Sequence, residues 1–147
     1  ITPESFIQEE FGNGIIRAPK DTLIDGMSVL TFAISRPPKS IQQIIDDYHI
    51  DVNTDIDYFL IHQANKLIVD RVVKKLHLPI DKVPYDLEEF GNLGGASIPS
   101  LMVTRIAEPM RHHKPIRMLC SSFGLGLSWG TMIITANNVI IPDLIEV

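Results

Sequence analysis

Residues 58–76 read YFLIHQANKLIVDRVVKKL. Tyr58, Phe59, Leu60 and Ile61 form an unbroken apolar run, the pattern of a short strand buried on both faces rather than one alternating between core and water. Behind it the period changes to that of a helix. Leu67, Ile68, Val72 and Leu76 recur at helical spacing, so residues 64–76 are expected to be helical with these four side chains inward and Pro79 as the stop. A doubly buried strand leading straight into an amphipathic helix is a unit of a layered α/β domain.

The flanks extend this pattern. Upstream, residues 40–48 place Ile41, Ile44, Ile45 and Tyr48 on one helical face, and Pro38 suits the first turn, where no amide partner is lost. Residues 27–35 fit two periods: Val29, Thr31 and Ile34 favour a strand, whereas Leu30, Ala33 and Ile34 sit at helical spacing. Residues 1–25 carry Pro3, Gly12, Gly14 and Pro19 with no sustained period. They read as a connecting segment with at most one short element around residues 6–11, leaving 26–147 as the layered unit. Downstream, the expected order is a short strand or extended stretch at 83–87, a turn at 91–95, and a helix at 97–110. A strand at 116–121, a glycine turn at 123–126 and a second strand at 127–136 follow. The last two strands are joined too tightly for a helical crossover, so they must be antiparallel neighbours in a mixed sheet.

Composition narrows the functional classes. Of the 147 residues, 45% are hydrophobic and 21% charged, a balance that supports a packed core. No apolar run reaches the ~20 residues a membrane-spanning helix needs, and the start of the chain carries no basic, then apolar, secretory signal. A net charge of −5 argues against nucleic acid as the main partner. The single cysteine, Cys120, excludes a disulfide scaffold and fits a reducing cytoplasm. It lies in a strand-like run with Ile116, Met118 and Leu119 and reads as a small buried hydrophobe. The first residue is Ile1 rather than Met, which suggests a processed chain or a piece of a longer one.

Three points at strand ends or turns carry possible chemistry. The first is His62-Gln63-Ala64-Asn65, at the C-terminal end of the first buried strand, where ligands sit in α/β sheets. A histidine there suits proton transfer or hydrogen bonding near neutral pH, and equally suits capping the following helix. The second is Gly91-Asn92-Leu93-Gly94-Gly95-Ala96-Ser97: three glycines permit close backbone approach, and Asn92 carries an amide NH₂ able to serve an oxyanion, or else simply shapes a turn. The third is Phe123-Gly124-Leu125-Gly126-Leu127-Ser128-Trp129-Gly130. It spells Gly-x-Ser-x-Gly at residues 126–130, but a nucleophile elbow needs a helix after the serine and a histidine later in the chain. Here a strand follows and no histidine lies beyond His113. The remaining histidines, His49, His77, His112 and His113, fall near helix ends or in a polar loop, and none has metal-ligand spacing, so no metal is expected.

Taken in order, His62-Gln63-Ala64-Asn65, Gly91-Asn92 with Ala96-Ser97-Ile98-Pro99, and Phe123-Gly124 with Ser128-Trp129-Gly130 resemble the C-terminal half of β-ketoacyl-acyl-carrier-protein synthase III-type condensing enzymes of the thiolase superfamily. The resemblance covers roughly residues 24–136. It implies a thiolase-like α/β fold, a mixed β-sheet with helices on both faces, forming one half of a duplicated architecture. It also implies decarboxylative Claisen condensation of an acyl-CoA with a malonyl thioester, in fatty acid biosynthesis or other lipid metabolism. The family's site is a Cys-His-Asn triad, in which His62 and Asn92 correspond by position to the two donors.

The resemblance further assigns the backbone amide of Leu125 to the oxyanion at acyl transfer, and Asn65, Phe123, Gly26 and Leu30 to substrate binding. Coenzyme A enters as a thioester substrate, and no resident cofactor is implied. The implied partners are the N-terminal half of the same enzyme, a second copy in a homodimer and, through Lys66 and Arg71, an acyl carrier protein. Two departures stand out: leucine occupies position 125, where the family often has glycine, and arginine is absent just after the His-Gln-Ala-Asn motif. The nucleophilic elbow cysteine is absent from these 147 residues, so the chain alone is expected to be inactive. A non-catalytic thiolase-like subunit, or a related synthase making a polyketide, quinolone or long-chain β-ketoacid, are the alternatives.

Overall fold

The structure, a computed structural model, describes residues 2–10, 12–21, 25–112 and 114–145. Ile24, where the resemblance begins, and Phe11 and His113, which the sequence places in a short element and a polar loop, lie outside the described residues. Before residue 22 stand a 3-10 turn at Pro3–Phe6 and a hairpin of two-residue strands, β1 (Glu9–Glu10) paired antiparallel with β2 (Ile16–Arg17). This is more structure than the single short element expected there.

The ambiguous stretch after residue 26 is helix α1 (Gly26–Ala33). Asp25 decides it: one carboxylate oxygen accepts the amides of Met27 (3.1 Å) and Ser28 (3.3 Å), capping the first turn. Helix α2 (Arg36–Asp47) starts earlier than its apolar face indicates, because Pro37 and Pro38 both sit in its first turn. Strand β3 (Tyr58–Ile61) matches the apolar run, and helix α3 (Lys66–Leu76) follows.

Two expectations for α3 are corrected. Leu67 is 48% exposed, and the inward face is Ile68, Val69, Val72 and Val73, with Leu76 packed against the same cluster. The helix ends at His77, whose backbone is left-handed (φ 51°), with the Leu78 amide reaching back to the Val73 carbonyl at 3.1 Å. Pro79 only follows this end.

Residues 83–87 are not a strand; a 3-10 turn at Ile80–Lys82 leads to the single helical turn α4 (Leu87–Phe90). The helix expected over 97–110 is two: α5 (Ser97–Thr104) and α6 (Ala107–Arg111). In one continuous helix the Pro109 nitrogen would face the Arg105 carbonyl with no proton to donate. Restarting after Ile106 places Pro109 in a first turn, where none is needed.

Strands β4 (Ile116–Gly124) and β5 (Ser128–Ala136) complete the sheet. Its order is β3-β4-β5, with β3 parallel and β5 antiparallel to β4, the mixed sheet expected. Phe59, Ile61, Leu119 and Phe123 pack on one face against Ala33 of α1, Ile41 of α2 and the inward residues of α3. Leu60, Met118 and Cys120 pack on the other, against Leu101 of α5, Met110 of α6 and Ile106 between the two helices. Helices therefore cover both faces.

Cys120 is 3% exposed, and burial in this apolar layer pushes its thiol up to about 11. Near neutral pH roughly one thiol in ten thousand is then ionised. A maleimide or disulfide reagent should leave Cys120 unmodified in folded protein over times that label it fully in denaturant. Equal labelling rates in the two states would contradict the burial.

Candidate active site

The parallel strands β3 and β4 end side by side, and a cavity of about 830 Å³ opens at those ends. That volume lies within the range of small-molecule sites. His62 is the first residue past β3. Its amide extends the ladder by one bond to the Ser121 carbonyl (2.9 Å), which fixes its backbone to the sheet. Its ring is buried, and the edge-to-face packing of Phe123 from β4, with centroids 4.9 Å apart, orients it. Behind Phe123, Phe32 of α1 stacks edge-on to both Phe123 (6.2 Å) and Trp129 (5.5 Å). Burial holds the His62 pKa below the ordinary 6.5, so the imidazole is neutral at neutral pH. Its Nδ1 is buried with no hydrogen-bond partner among the described residues.

Asn92 reaches the same cavity from the loop between α4 and α5. Gly91 makes the turn possible: its backbone (φ 66°, ψ −157°) lies in a region only glycine adopts without strain. The Asn92 side-chain oxygen accepts the Gly94 amide at 3.0 Å. A backbone N–H must face the oxygen, so this bond fixes which end of the amide is which and leaves the NH₂ to donate elsewhere. Asn65 is bound in the same way: it is the N-cap of α3, its oxygen accepting the Leu67 amide at 2.8 Å, and it too lines the cavity.

Gly26, Leu30, Phe123 and Leu125 complete the expected set at this cavity. Leu125 occupies the tip of the β4–β5 hairpin, where its side chain is 83% exposed. Gly126 beside it has φ 133°, and a Cβ there would meet the Ser128 amide at 3.1 Å. The Ser128 hydroxyl donates to the Leu125 carbonyl at 2.8 Å, so the serine of the Gly-x-Ser-x-Gly spelling closes the hairpin.

Lys66 and Arg71 stand apart from the cavity. Lys66 lies 3.3 Å from Glu88 in an exposed ion pair and over the Tyr85 ring. Among the described residues, no group of His, Cys, Asp or Glu side chains is placed to hold a metal ion, and no helix is long and apolar enough to cross a membrane. Sequence reasoning passed over the apolar wall that Val29, Leu67 and Leu127 add to the cavity.

Residues 51–136 match the family model for the C-terminal part of 3-oxoacyl-[acyl-carrier-protein (ACP)] synthase III. This chain belongs to that family. It is similar to the beta-ketoacyl-[acyl-carrier-protein] synthase III of Streptococcus pneumoniae (strain Hungary19A-6), with 42% identity over 115 residues, covering 76% of this chain and 35% of that protein. The chain thus spans about a third of the length of the curated relatives it matches. Among solved structures, a 3-oxoacyl-(acyl-carrier protein) synthase from Burkholderia xenovorans LB400 superposes with a TM-score of 0.81. The two are 30% identical, over 89% of this chain and 37% of that one. The corresponding synthase III of Thermus thermophilus gives 0.69 at 29% identity, over 80% and 36%. The α/β, thiolase-like fold of this half is the one these synthases share.

Proposed function

We propose that this chain is the half of a condensing acyltransferase that supplies His62 and Asn92, working with a cysteine from an N-terminal half. The cysteine thiolate attacks an acyl-CoA, and coenzyme A leaves as its thiolate. The backbone amide of Leu125 steadies the oxyanion of that step. A malonyl thioester then loses carbon dioxide: the bond to its carboxylate breaks, and the electron pair becomes an enolate. The neutral imidazole of His62 and the NH₂ of Asn92 donate to the enolate oxygen, stabilising charge that develops only as the bond breaks. The enolate carbon attacks the acyl thioester, its C–S bond breaks, and the cysteine thiolate is regenerated with release of a β-ketoacyl thioester.

The observation that carries this reading is the meeting of His62 and Asn92 at one cavity, with the Asn92 oxygen already engaged by Gly94. A neutral histidine favours donation without full proton transfer. Asn65, Phe123, Gly26 and Leu30 would contact the substrates. Lys66 and Arg71 are proposed contacts for an acyl carrier protein, an acidic partner; Lys66 would first leave Glu88, an exposed pair of the kind that contributes little. The whole enzyme would act in the cytoplasm as a homodimer and need no resident cofactor. The test is direct. The complete protein carrying this chain, given an acyl-CoA and a malonyl thioester labelled at its free carboxylate, should release labelled carbon dioxide and form the β-ketoacyl thioester. Carbon dioxide without that product, or neither, would refute the assignment.

A further inference from the structure

Asn92 is useful as a donor only if its loop is held, and nothing in the three-residue stretch 91–93 is buried enough to hold itself. The anchor lies earlier. Asp86 is 1% exposed, and one oxygen of its carboxylate accepts the Ser100 hydroxyl (2.5 Å) and the Thr104 hydroxyl (3.3 Å), both from α5. Its backbone carbonyl accepts the amides of Glu89 (3.2 Å) and Phe90 (3.0 Å), building the turn that ends at Gly91. One residue therefore starts the loop, shapes its helical turn and ties it to the helix that follows.

We propose that Asp86 is a positioning residue, whose buried carboxylate latches the start of the Asn92 loop to Ser100 and Thr104 so that Asn92 is presented to the cavity it shares with His62. This inference rests on the donor role proposed for Asn92. The neighbouring bonds have the same sense. Arg105, just past α5, donates to the Tyr85 carbonyl and pairs with Glu89 at 2.7 Å. The Tyr85 hydroxyl lies 2.9 Å from the Lys66 carbonyl and 3.0 Å from the Asp70 carboxylate, reaching α3 just beyond the His62 motif. These bonds tie the segment that leads into the Asn92 loop to α5 on one side and to α3 on the other. The second carboxylate oxygen of Asp86 is buried with no hydrogen-bond partner among the described residues.

The experiment measures two half-reactions of the complete protein, acyl transfer to its cysteine and decarboxylation of the malonyl thioester, on variants with matched folded fractions. Asp86→Ala should lower kcat for decarboxylation about tenfold, through misplacement of one donor. KM for the malonyl thioester and the rate of acyl transfer should stay near their parent values. Asp86→Asn retains an acceptor for both hydroxyls and should restore most of the rate. Ser100→Ala, a milder change that keeps Thr104, should show the same split at smaller size. Parallel loss of both half-reactions, unchanged decarboxylation in Asp86→Ala and Ser100→Ala, or Asp86→Asn as impaired as Asp86→Ala would each overturn the latch. Asn92→Ala is the reference arm. If it lowers decarboxylation and the Asp86 variants do not, the latch alone fails; if it changes nothing, the donor role of Asn92 fails and the latch with it.

Discussion

In the complete protein, His62→Ala should slow decarboxylation of the malonyl thioester by about a hundred- to a thousandfold, the usual loss when one donor to a developing oxyanion is removed. Acyl transfer to the cysteine should continue at a substantial fraction of its rate, because that oxyanion is assigned to the Leu125 amide instead. The pH dependence follows from burial. His62 has a pKa below 6.5 in the folded protein, so its neutral form persists as pH falls to 6.5 and beyond. The decarboxylation rate should stay level across that interval and drop only below the depressed pKa. Stability carries the same sign: the unfolded chain takes up the histidine proton first, so this contribution is complete above 6.5 and is lost as pH falls from there through the folded pKa. A rate that rose on acidification through 6.5 would mean that imidazolium is the active form. Equal loss of both half-reactions in His62→Ala would contradict the division of labour.

The parts of this site that were legible in the sequence are those where local and tertiary demands coincide. A run such as Tyr58-Phe59-Leu60-Ile61 has one good solution, a strand covered on both faces, and the histidine that ends it falls at the strand end where ligands bind. Residues 27–35 were undecided because so short a segment satisfies two periods. The deciding contact is the Asp25 cap, which adds one residue of information outside the apolar pattern. Asp86 was missed for the opposite reason. With Glu89 three residues on, it spells a capping box, yet its carboxylate makes no cap bond and goes instead to Ser100 and Thr104. Bonds across 14 and 18 residues leave no local periodicity to read.

The same contrast sets the largest stability effects. Phe59 and Leu60 are adjacent and both fully buried, yet they face opposite layers: Phe59 meets α2 and α3, Leu60 meets α5 and α6. Phe59→Ala should cost about 3–5 kcal/mol and Leu60→Ala about 2–5 kcal/mol, each the sum of lost transfer energy and a residual cavity. Against a total stability of about 5–15 kcal/mol, either change removes a large part of the margin. Leu67→Ala is the discriminating control. The helical period alone places Leu67 inward, where truncation would cost as much as at Leu60. At 48% exposed, beside the cavity, it should cost less than about 1 kcal/mol. Urea unfolding of the complete protein followed by fluorescence gives all three as midpoint shifts at constant slope. If Leu67→Ala proved as costly as Leu60→Ala with no cover over Leu67 from the N-terminal half, α3 would have to be rotated about its axis. The Asn65 cap and the cavity wall it begins would then move with it.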